Sequence, residues 1–222
     1  MLSNFRKYDE AIVRDIRYYF CMALARQKKK LFFEHLRFFE DLDYNFLLGF
    51  YRRIQKKNSE AEKYFLNALD YDPESQKTRR ELVNVLLSQG KYGMAVEWAR
   101  KNYEKKPLNA FHIQAYFICL LRKSSWSPSE REIIEELLIN IQKSHDYKGK
   151  EIFQVMKGEY EYYIRGHFEQ AVKLLKEAKE KCEFKNYPIK ALMEIYKRKG
   201  LKDKEKMYSD MINLEEEEIS DI

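Results

Sequence analysis

Glycine and proline are scarce in this chain, 7 and 4 among 222 residues. Tight hairpins and long turn-rich connections draw heavily on both, so a many-stranded sandwich or barrel is excluded as the expected fold. Cysteine is equally sparse. Cys21, Cys119 and Cys182 are odd in number, far apart and without CxxC spacing. That pattern fits reduced, buried small apolar residues rather than a disulfide framework. No stretch approaches ~18 uninterrupted apolar residues, so no membrane span is expected. The opening MLSNFRKYDE lacks the apolar run of a signal peptide, and the expected location is cytoplasmic.

Recognisable chemistry is missing too. His35, His112, His145 and His167 stand apart from any second metal-ligating residue, so no metal site is expected. Gly90-Lys91 and Gly149-Lys150 lack the upstream glycine and following hydroxyl of a phosphate loop. There is no GxSxG, and pairs such as Glu135-Glu136 sit at the spacing of a wet helical face. The expectation is a protein without catalytic residues or cofactor, and not an enzyme.

What the chain has in quantity is helix formers: Leu, Ala, Lys, Glu, Arg and Gln dominate. The class reads as all-α. The formal charge is +6, and the last eight residues, EEEEISDI, carry five acids, which leaves about +11 on residues 1–214. A basic body with an acidic tail points to acidic partners or to a tail that screens its own body.

A period runs through the sequence. Leu48 is echoed by Leu82, Ala61 by Ala95 and Pro73 by Pro107, each 34 residues on. Gly166 and Gly200 are also 34 apart. With Leu48, Gly49, Ala61, Phe65, Ala68 and Pro73 in this order, residues 42–75 resemble a tetratricopeptide repeat. The family tyrosine is displaced, with Arg52 in its place and Tyr51 one position early. Physically, small residues let paired helices cross closely, and a proline ends the second helix. Further repeats follow at 76–109 (Leu82, Gly90, Ala95, Pro107), 152–185 (Tyr162, Gly166, Ala171, Ala178) and 186–214 (Leu192, Tyr196, Gly200).

Between them, 110–151 is an irregular repeat with the long hinge KSSWSPSERE. There Ser127, Pro128 and Glu130 form a helix-start signal preceded by Trp126. Residues 1–41 hold a degenerate helical pair at 8–41, rich in aromatics (Tyr18, Tyr19, Phe20, Phe32, Phe33, Phe38, Phe39), and 215–222 is the acidic tail.

The resemblance implies a right-handed superhelical solenoid of about six antiparallel helix pairs, with the first helix of each pair lining a concave groove. Carried residue by residue, the groove positions are Phe46, Phe50, Arg53, Lys77, Arg80, Asn84, Gln114, Ile118, Arg122, Met156, Tyr160 and Tyr163. They suit a protein or peptide partner with apolar anchors and acidic residues. Arg80 and Asn84 match part of the family's clamp for chaperone tails, but Ala115 and Phe153 break it, and chaperone-tail binding is not expected.

A weaker resemblance covers most of the chain. DIRYYFCMALARQKKKLFFEHLRFF, YNFLLGFYRR and AFHIQAYFICLL are similar to the C-terminal helical-repeat sensor region of bacterial STAND-type defence ATPases. It implies a scaffold, sensor or adaptor module in signalling or phage defence. Two alternatives are nucleic-acid binding through the basic surface and a homo-oligomer joined through the aromatic N-terminal helices.

Overall fold

The computed structural model describes residues 2–144, 149–183 and 186–220, with side chains described over 10–144, 149–183 and 186–212. The described residues form twelve α-helices and no strand. In chain order these are α1 (Leu2–Arg26), α2 (Leu31–Leu36), α3 (Asp41–Ile54), α4 (Asn58–Tyr71), α5 (Gln76–Ser88) and α6 (Tyr92–Lys105), then α7 (Ala110–Leu121), α8 (Pro128–Lys143), α9 (Gly149–Tyr163), α10 (Phe168–Lys181), α11 (Asn186–Arg198) and α12 (Lys202–Ser220). None of them is long and apolar enough to cross a membrane. The helices pack in sequence within two compact units, Met1–Asn102 and Tyr103–Ile222, and the division falls inside α6.

In the first unit, α3 packs on α4 and α5, and α1 packs on α2 and α3. Ala61, Phe65 and Ala68 lie on one face of α4, and all three are fully buried. The close crossing of α3 and α4 is at Gly49, and its nearest neighbours there are Phe65 and Tyr64 rather than the small residue Ala61. A Cβ at Gly49 would stand 2.9 Å from the Phe65 ring and 3.2 Å from Tyr64 Cβ. The aromatic one turn beyond Ala61 therefore fills the gap that the glycine leaves. At the end of α4 the Asp72 amide donates to the Ala68 carbonyl at 3.1 Å. The Pro73 carbonyl then accepts from the buried Arg79 guanidinium.

Helix ends recur with the period. After α5 the Gly90 amide reaches three residues back to Leu87 O at 3.1 Å, and Lys91 reaches five back to Leu86 O at 2.9 Å. This crossed pair of bonds needs a left-handed residue at its centre, and Gly90 has φ 72°. The same pair closes α11 around Gly200 (φ 71°) and α3 around Lys56 (φ 61°). Lys56 stands 34 residues before Gly90 and pays the left-handed strain with a side chain in place.

In the second unit α9 is the most connected helix, packing on α7, α8, α10 and α11, and α11 packs on α12. α7 is apolar around most of its circumference, with Ile113, Phe117, Leu120 and Leu121 buried, as befits an internal helix. The hinge signal before α8 is realised as a capping box: Ser127 Oγ accepts from the Glu130 amide, and the Glu130 carboxylate accepts from the Ser127 amide. Trp126 donates its indole N–H to the Leu120 carbonyl at 2.7 Å, closing the hinge onto the end of α7. Ala171, Leu175 and Ala178 of α10 join Leu192, Ile195 and Tyr196 of α11 in one core, completed by Tyr208 and Ile212 of α12. α12 runs on to Ser220, so the backbone of the acidic run 215–218 is helical.

Candidate interaction surface

In the second unit, one polar cluster is drawn from three alternate helices. Arg122 caps the end of α7, Glu159 and Tyr163 belong to α9, and Glu194 and Arg198 to α11. Arg122 lies 3.8 Å from Glu159 and 3.9 Å from Glu194, and it donates to the Tyr163 hydroxyl. Arg198 pairs with Glu194 at 3.1 Å and places its guanidinium 5.0 Å from the Tyr163 ring centre. Glu159 and Tyr163, like Glu194 and Arg198, are four residues apart, so each pair shares one helix face.

Burial grades across the cluster. The Glu159 side chain is 4% exposed, Arg122 18%, Glu194 24% and Arg198 35%. Burial pushes the Glu159 carboxyl above its ordinary range; Arg122 opposes the shift and Glu194 adds to it. Burial works against the Arg122 charge, but Glu159, Tyr163 and Glu194 outweigh it and hold the guanidinium more firmly protonated. The Tyr163 hydroxyl is pushed up chiefly by burial. The result is a charged seam anchored inside and open at Arg198.

Of the expected groove residues in this unit, Arg122 and Tyr163 meet in the cluster and Ile118 is half-buried. Gln114 is buried, and so are two residues of α9. Met156 is inaccessible, and Tyr160 turns away, donating its hydroxyl to Glu135 of α8 at 2.7 Å. The cause is a local change of register. Gly49 lies seven residues before its left-handed helix end at Lys56, whereas Gly158 lies eight before Gly166.

Gly158 is the true close-crossing glycine of α9: a Cβ there would stand 2.7 Å from Leu175 Cγ. The extra residue is taken up in a widened last turn, where Arg165 N–H reaches five back to Tyr160 O (3.3 Å) and His167 N–H six back to Glu161 O (2.9 Å). One residue is about 100° of rotation. Counting from Gly166 therefore puts Tyr160 where Glu159 stands. Glu159 and Glu194 occupy equivalent places in their repeats once the count starts from Gly158, and that glycine was the available signal.

The first unit carries its own polar face, from α1, α3 and α5. Lys77 Nζ lies 4.5 Å from the Tyr18 ring centre and 4.9 Å from that of Phe46, and 3.6 Å from Asp43. Arg14 also pairs with Asp43, at 2.5 Å. Burial, ahead of the nearby Asp43, pushes the Tyr18 hydroxyl up. Arg53 sits 2.9 Å from Glu81, an ionic contact whose angle falls short of a hydrogen bond.

Phe46 and Phe50 were expected to line an open groove, but both are buried. Phe46 packs between Tyr18 and Phe65, and Phe50 lies beneath the guanidiniums of Arg26 and Arg53. Of these covering groups, Tyr18 and Arg26 come from α1, which the repeat frame of 42–75 does not include. Arg80 and Asn84 are exposed.

All three cysteines are buried and free. Among the described residues no group of three or more His, Cys, Asp or Glu could hold a metal ion. No protein-family model matches the chain, and no curated protein matches it.

Proposed function

We propose that the chain is a tetratricopeptide-like solenoid of about six helix pairs that works as a non-enzymatic scaffold, sensor or adaptor. Its partner is a protein or peptide segment bearing acidic residues, held along the first-helix faces. The observation that carries this reading is the graded cluster of Arg122, Glu159, Tyr163, Glu194 and Arg198. Its inner members are fixed by burial, which keeps the outer guanidinium positioned at the surface without further ordering on binding. The packing of α3 on α5, of α7 on α9 and of α9 on α11 supports the stacking of first helices that such a solenoid requires. In the first unit, exposed Arg80 and half-exposed Lys77 offer cations of the same kind.

Affinity capture with the intact chain and with an Arg80→Glu/Arg198→Glu variant tests the reading, with nuclease treatment in parallel. The expected result is a protein recovered by the wild type after nuclease and reduced at least ~10-fold by the variant, the scale of one lost charged contact. Equal recovery by both would place binding elsewhere, and loss on nuclease treatment would favour nucleic acid.

A further inference from the structure

The outer face of α1 is apolar and open. Ile12, Val13, Ile16, Tyr19 and Phe20 are 56%, 53%, 64%, 72% and 42% exposed. Ile12, Ile16, Tyr19 and Ala23 follow the 4-3-4 spacing of a helix–helix seam, with Val13 and Phe20 flanking it on one side. At about 150–200 Å² for a fully exposed large side chain, α1 alone leaves on the order of 500 Å² of apolar surface, near the top of what a monomer shows in one patch. Doubled across a two-fold axis, the area reaches about 1,000 Å², the lower bound for a specific interface.

We propose that the chain self-associates through α1, two copies pairing antiparallel about the midpoint between Arg17 and Tyr18. Self-complementarity favours a second copy as the occupant. In this register Ile12 meets Ala23 of the other copy, and Ile16 meets Tyr19, so each large side chain faces a smaller one. Val13 and Phe20 meet on the flank. A parallel pairing would instead set Tyr19 against Tyr19 and exposed Arg26 against Arg26. The seam uses none of the residues assigned to partner binding, so the two proposals stand or fall separately.

Sedimentation of the full chain at ~100 µM, a concentration that populates even a micromolar dimer, tests the association. The wild type is expected at twice 27.0 kDa, and Ile16→Glu at 27.0 kDa with an unchanged helical circular dichroism spectrum. A wild-type mass of 27.0 kDa, or a dimer that survives Ile16→Glu, would overturn it. The register is tested by oxidising an equimolar mixture of Ile12→Cys and Ala23→Cys chains. Mixed disulfide dimers are expected, with little product from Ile12→Cys alone. Efficient cross-linking of Ile12→Cys to itself would overturn the antiparallel register.

Discussion

Gly158 and Leu175 touch so closely that a single added methyl on the glycine would come within 2.7 Å of Leu175 Cγ. Leu175 is fully buried in the core of α10 and α11 and has little room to retreat. Gly158→Ala is expected to destabilise the chain by about 1–3 kcal/mol, the range for overpacking. Gly49→Ala, against the Phe65 ring, should fall in the same range. Gly93→Ala is the control, since nothing lies within 4 Å of that position. Chemical denaturation of the three variants measures the order.

Lys56 holds φ 61° where the equivalent helix ends of α5 and α11 have Gly90 and Gly200. Its side chain is exposed, so removal sacrifices no packing. Relief of the left-handed strain outweighs the extra freedom that glycine gives the unfolded chain. Lys56→Gly should stabilise by about 1 kcal/mol and raise the thermal midpoint. An unchanged or lower midpoint would show that the lysine is not strained there.

The Glu159 carboxyl, pushed up by burial against the pull of Arg122, gives a pH signature. The folded chain keeps this proton to higher pH than the unfolded chain does. Its stabilising share is therefore complete below the ordinary glutamate value of about 4.3 and is lost as pH rises through the folded value. Glu159→Gln removes that loss. The stability of the variant relative to wild type should rise as pH climbs above the ordinary glutamate value, measured by urea unfolding. Parallel curves would contradict it.

Burial pushes the Cys21 thiol up to about 11 and the Cys119 thiol up to about 12, with Arg17 and Arg122 opposing weakly. At pH ~8 the thiolate fraction of Cys21 is on the order of a thousandth. Neither cysteine should react with iodoacetamide in the native chain over an hour, while both label in denaturant. Native labelling at the unfolded rate, read by mass spectrometry, would show that these helices open freely.

Much of the fold is written in local chemistry. The period linking Ala61 to Ala95 marks residues that are fully buried. Ser127, Pro128 and Glu130 name their helix start outright, because a cap is made by neighbours in sequence. The surface was less legible, for two reasons. Phe46 and Phe50 look like open groove residues until α1 contributes Tyr18 and Arg26, and nothing near them in sequence announces that cover. Tyr160 was displaced by one widened helical turn, which the even spacing of Gly166 and Gly200 conceals.

The widened turn at the end of α9 shows how a helix can absorb an additional residue without disturbing its packing. The slack is confined to one turn, where Arg165 N–H reaches Tyr160 O and His167 N–H reaches Glu161 O, so Gly158 still lies against Leu175. The identity of the residue at each upstream place moves by one in the count, while the faces themselves stay put. Repeat frames in a helical array of this kind are therefore better counted from the crossing glycine than from the glycine that ends the helix.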